Sequence, residues 1–155
     1  MKKKVAIWTV VVLIVLIQFI RIDQVNPESN PQYDFFAVSE VPENVQSIFK
    51  ESCYDCHSNN TIYPWYSHVA PFSWILSNHI KEGREHVNFS EWGNYSMGDK
   101  LEMIEESIEE IEAGKMPLKS YVLIHKNAKL TKEEKEIIRK QFLKESSTGA
   151  IATLN

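Results

Sequence analysis

The chain has 155 residues, 43% of them hydrophobic, enough for one buried core and too few for two ordinary domains. Seventeen basic against twenty-one acidic side chains leave a formal net charge of -4. There is no basic stripe to neutralise phosphates, so nucleic acid is excluded as an expected partner. The two cysteines stand close together in sequence, at 53 and 56. That excludes a disulfide framework spread over a small secreted domain, and both thiols read as parts of one local site.

Lys2, Lys3 and Lys4 precede an apolar run from Val5 to Ile20, broken only by Thr9 and Gln18. At about 1.5 Å per residue the run covers roughly 24 Å, a little less than a bilayer's hydrocarbon core. Snorkelling of Lys4 and Arg21 is expected to make up the difference. The run ends in Gln18-Phe19-Ile20-Arg21-Ile22-Asp23, without a small-residue cleavage pattern. Residues 1–22 therefore read as an uncleaved transmembrane anchor, with a cleaved signal as the alternative. Positive-inside bias would place the following domain on the periplasmic or extracytoplasmic side of a membrane.

Residues 23–40 hold Pro27, Pro31 and several polar residues without a helical period, and read as a linker. Tyr33, Phe35 and Phe36 are expected to pack on the domain edge. Four helical segments follow within 41–145. In the first, Pro42 suits an opening turn, and Val45, Ile48, Phe49 and Ser52 share a face that runs into Cys53. In the second, Phe72, Ile75, Leu76, His79 and Ile80 recur at amphipathic spacing. The third opens on Asp99 and Glu102 as a capping box, aligns Leu101, Ile104, Ile108 and Ile111, and stops at Gly114. The fourth is capped by Thr131 and Glu134 and buries Ile138 and Phe142. No segment alternates long enough for a strand, so the domain is expected to be all-α, with 146–155 as a flexible tail.

The chemistry is concentrated in Cys53-Tyr54-Asp55-Cys56-His57, a C-x-x-C-H. Two thiols at this spacing can add to the two vinyl groups on one haem edge, and the next histidine is held where its imidazole can ligate the iron. This predicts one covalently attached haem c. A redox C-x-x-C pair would need a βαβ context, which is lacking. A Cys₂His₂ zinc site drawing on His68 or His79 is the other metal reading, and would make the domain a zinc-stabilised interaction module.

A helix running into C-x-x-C-H, a distant Met-Pro and a C-terminal helix together resemble a small mono-haem class I cytochrome c. More closely, the stretches CYDCHSNNTIYPWYSHVAPFSW, HIKEGREHVNFSEW and GKMPLKSYVLIHKNAKLT resemble the bacterial haem-binding domain family. The resemblance covers about Val41 to Leu143. It implies a cytochrome-c-like helical fold and a haem cofactor, and says less about pathway.

For the second axial ligand, Met116 leads. It stands about sixty residues beyond His57, as the distal methionine does in class I cytochromes c, and Gly114 and Pro117 put it on a turn. His79 is the runner-up, because it interrupts an apolar face. His68 and His125 are weaker candidates, His86 is expected to be exposed, and Met97 and Met103 read as packing or surface residues. Trp65, Tyr66, Trp74 and Trp92 are expected around the macrocycle or in the core. Pro64 or Pro71 could offer a carbonyl to the other ring nitrogen of His57, and Arg84 and Lys81 could pair with haem propionates. The functional expectation is a membrane-anchored one-electron carrier serving a redox partner protein. Ligand binding or peroxide reduction at an open sixth position is the alternative.

Overall fold

The computed structural model describes residues 2–152, with side chains described up to Thr148. Among the described residues there are helices and turns and no strand. Helix α1 (Lys2–Ile17) is followed by α2 (Phe35–Val38), α3 (Glu43–Ser52), α4 (Tyr54–His57), α5 (Phe72–His86), α6 (Met97–Glu112), α7 (Lys119–Ile124) and α8 (Lys132–Ala152). The segment expected as a flexible tail is helical over residues 146–152, and 153–155 lie outside the described residues.

The expected transmembrane helix is corrected by the structure. α1 ends at Ile17, so its apolar part from Val5 spans about 20 Å, against roughly 30 Å of hydrocarbon. The next residues are engaged by the domain. Gln18 donates from Nε2 to the Ala70 carbonyl and accepts the Ala70 N–H at Oε1, both at 3.0 Å. Trp74 Nε1 donates to the Ile20 carbonyl at 3.0 Å. No helix among the described residues is long and apolar enough to cross a membrane. The membrane anchor, and the periplasmic or extracytoplasmic placement that rested on it, lose their basis.

The stretch read as a linker contributes to the core. Asn30 caps a 3-10 turn over Pro31–Tyr33, and Asp34 caps α2 by accepting the Phe36 N–H. These caps aim Phe35 inward, where it is fully buried. Its ring lies 5.2 to 6.2 Å from those of Phe49, Phe89, Trp92 and Phe142. That aromatic cluster, with Val45, Ile104, Ile111 and Ile138, forms the main core. A smaller apolar cluster, built from Tyr66, Leu76 and Ile80, lies beside it.

Helices α3 and α8 largely follow the expected pattern. Val45, Phe49 and Ser52 are buried on α3, and Pro42 is its N-terminal cap, its carbonyl accepting from Val45 and Gln46. Thr131 and Glu134 exchange reciprocal hydrogen bonds across the first turn of α8, which buries Ile138 and Phe142. The capping box of α6 is Ser96 with Asp99, one turn earlier than Asp99 with Glu102, and Leu101 is 40% exposed. Gly114, at φ +68°, ends α6 as a left-handed cap. On α5 the inward stripe is Ser73, Leu76, Ile80 and Gly83, while Phe72 and Ile75 face solvent.

Gly83 explains that rotation. A Cβ there would lie 2.8 Å from the Cys56 carbonyl oxygen. The bare backbone lets α5 pack directly on α4, which carries the C-x-x-C-H.

Candidate functional site

Cys53 sits at the joint between α3 and α4. Its N–H closes the last turn of α3 on the Phe49 carbonyl, and its own carbonyl accepts from Cys56 and His57 to start α4. The helical turn brings both thiols and the imidazole to one wall of a cavity of about 600 Å³. Met116 and His79 line the same cavity, so the structure brings both thiols, His57 and the two leading candidates for a second ligand together. The two thiols straddle a seam, for Cys53 packs on the main core and Cys56 on the smaller cluster. Met116 is half-buried and packs on the main core, as does Met103, which also lines the cavity. Phe89, Ile111, Leu130 and Phe142 make the wall predominantly apolar.

His57 is oriented by its backbone acceptor. Its Nδ1 lies 3.2 Å from the Val87 carbonyl oxygen. A carbonyl can only accept, so Nδ1 carries the proton and Nε2 keeps a free lone pair. Burial holds this imidazole below its ordinary pKa, against the opposing pull of the Val87 and Gly83 carbonyls, so the neutral form is favoured. The partner is Val87, just past the end of α5, rather than Pro64 or Pro71. Burial, aided by the neighbouring thiol, pushes Cys53 up to about 12. Burial and then Asp55 push Cys56 up to about 11, with Arg84 opposing. Both sulfurs are therefore held as neutral thiols.

The haem-binding domain family model matches residues 12–144. The chain belongs to the haem-binding domain family. Membership makes haem its cofactor. No match was found among curated proteins or solved structures.

The site fits the cofactor of this family. Its volume lies within the roughly 300–1,000 Å³ of small-molecule and cofactor sites. The donor set is an imidazole with a free nitrogen, a thioether sulfur and two neutral thiols. Among the described residues, no group of three or more His, Cys, Asp or Glu is arranged to hold a metal ion, which leaves the zinc reading without support.

Several surrounding residues differ from expectation. The wall aromatics are Phe89, Tyr121 and Phe142 rather than the tryptophans. Trp92 is fully buried in the main core and donates to Glu145, Trp65 is 74% exposed, and Tyr66 belongs to the smaller cluster. Arg84 is engaged by the Ser58 carbonyl, Asn26 and Thr61, and Lys81 pairs with Glu85 at the surface. Neither lines the cavity. His86 is exposed at its rim, and His68 faces solvent beside Gln24.

Sequence reasoning missed Asp55 and Tyr121. Both line the cavity, and the Tyr121 hydroxyl donates to Asp55 Oδ2 at 2.6 Å. Burial first, and then that carboxylate, push the phenol well above its ordinary value, so it stays a donor. The position of Asp55 inside C-x-x-C-H was the one available hint.

Proposed function

We propose that this chain carries a single c-type haem and works as a one-electron carrier for a partner protein. Cys53 and Cys56 would hold the macrocycle by adding their thiols to its vinyl groups as thioethers, and His57 Nε2 and the Met116 sulfur would hold its iron. The bound iron supplies one-electron exchange between its ferrous and ferric states. The chain's own groups prepare the site for that. Val87 fixes the tautomer and plane of His57, and an acceptor on the far ring nitrogen raises ligand basicity. A thioether ligand supplied by Met116 would favour the ferrous state and a higher potential. The apolar wall from Phe89 to Phe142 limits water near the metal, and the open side of the cavity leaves an edge for a partner to approach.

The observation that carries this reading is the convergence of both thiols, of His57 held through Nδ1 at the Val87 carbonyl, and of Met116 on one apolar cavity. Its test is protein made in a host able to attach haem to such motifs. The expected outcome is a thioether-type pyridine adduct with one haem per chain, together with a reversible one-electron wave. Both should be lost in Cys53→Ala/Cys56→Ala. Colourless wild-type protein from that host refutes the proposal.

A further inference from the structure

Helix α7 is attached to the domain mainly by polar contacts. It buries none of its residues, and Leu123 and Ile124 are 70% and 53% exposed. Apolar burial therefore contributes little to holding it, and such segments belong to the readily opened part of a fold. Two side-chain hydrogen bonds hold it instead. One runs from the Tyr121 hydroxyl to Asp55 Oδ2 at 2.6 Å. The other joins His125 Nε2 to the Tyr66 hydroxyl at 2.9 Å. The rings of Tyr121 and His125 stack at 4.2 Å and 10°, which couples the two points.

The segment so held includes part of the cavity wall. Met116, Pro117, Leu118 and Tyr121 all line it. Upstream, the N–H groups of Lys115 and Met116 both bind the Glu110 carbonyl, which fixes that end to α6. Downstream, Ala128 and Leu130 are buried. Between these fixed ends, the contact with Asp55 joins the wall to the thiol-bearing turn. Asp55 is itself steadied, since its Oδ1 accepts the Ile62 N–H at 3.1 Å.

We propose that Tyr121 and Asp55 are positioning residues, whose hydrogen bond latches the Met116–Tyr121 segment across the cavity and restrains small exogenous ligands from reaching the haem. The inference rests on the c-type reading above for its ligand side, while the latch is a property of the chain alone. Breaking one hydrogen bond to a carboxylate should raise the open fraction roughly tenfold to a hundredfold.

The test compares wild type with Tyr121→Phe, which keeps the ring stacked on His125 and removes the hydroxyl. Hydrogen exchange at the backbone amides of Val122 to His125 should accelerate at least tenfold, with the amides of α6 and α8 unchanged. In the same samples, carbon monoxide uptake by reduced protein should accelerate by a similar factor at unchanged covalent haem content. A purely structural role would not change that second readout selectively. Tyr66→Phe, read in the same two ways with a smaller expected effect, replaces Tyr121→Phe if the latter does not fold. Unchanged exchange, or faster exchange without faster uptake, overturns the proposal. Should wild type hold no covalent haem, the c-type reading fails by itself, and the exchange measurement on that protein decides the latch.

Discussion

Gly83→Ala should destabilise the protein although alanine is the better helix former. In the last turn of α5 the substitution gains up to about 1 kcal/mol of backbone preference. The new Cβ, however, would meet the Cys56 carbonyl oxygen at 2.8 Å, where ordinary contact begins at 3.4 Å. The obstacle is backbone and cannot rotate away, so α5 must retreat from α4 by about 0.6 Å. Overpacking of this kind costs roughly 1–3 kcal/mol. The net loss should be up to about 2 kcal/mol, a fall in Tm of up to about 8 °C for a chain of this size. Val87 follows α5 and orients His57, so the same retreat should also lower the yield of attached haem. Gly98→Ala is the internal control. The nearest atom to its Cβ is Ser96 Oγ at 3.7 Å, so that variant should equal or exceed wild type by up to about 1 kcal/mol. Scanning calorimetry on both variants decides the matter. Gly83→Ala melting at or above Gly98→Ala would refute the close-approach argument.

Phe35→Ala empties the centre of the aromatic cluster and should cost about 3–5 kcal/mol, lowering Tm by roughly 6–20 °C; a chain beginning at residue 41 should fail to melt cooperatively. Met116→Ala should speed carbon monoxide uptake by reduced protein well beyond the slow wild-type rate at neutral pH and lower the midpoint potential in voltammetry, whereas Met103→Ala should leave both near wild type. Thr131→Ala removes the acceptor of the Glu134 N–H and should cost about 1 kcal/mol, seen as a lower urea midpoint at unchanged slope.

The site was legible in sequence where its parts are close in the chain. Cys53, Cys56 and His57 lie within five residues, and one helical turn sets their mutual placement. Their supports lie far away. Val87 is thirty residues from His57, and Tyr121 is sixty-six from Asp55. Both pairings depend on where α5 and α7 pack, which no local pattern encodes. Periodicity found α5 but chose its neighbouring stripe, because Phe72 and Ile75 outweigh Ser73 and Gly83 in hydrophobicity while the close approach to Cys56 decides which side faces inward. Phe35 was set on the edge because a single buried aromatic in a proline-containing stretch has no period. The apolar run at the start was almost long enough as text, but the helix stops at Ile17 and Gln18 and Ile20 are engaged by Ala70 and Trp74, contacts a one-dimensional reading cannot see. Capping chemistry transferred well at Thr131 and Gly114, since each cap is a contact over three or four residues.

Phe35 touches Phe142, so the aromatic centre is completed by a residue more than a hundred positions later. Phe142 and Leu130 are also wall residues of the cavity. During vectorial synthesis the motif is thus finished long before the side that will enclose it. A nascent chain presents its two sulfurs before that wall exists, and the arrival of α8 is the step that completes it.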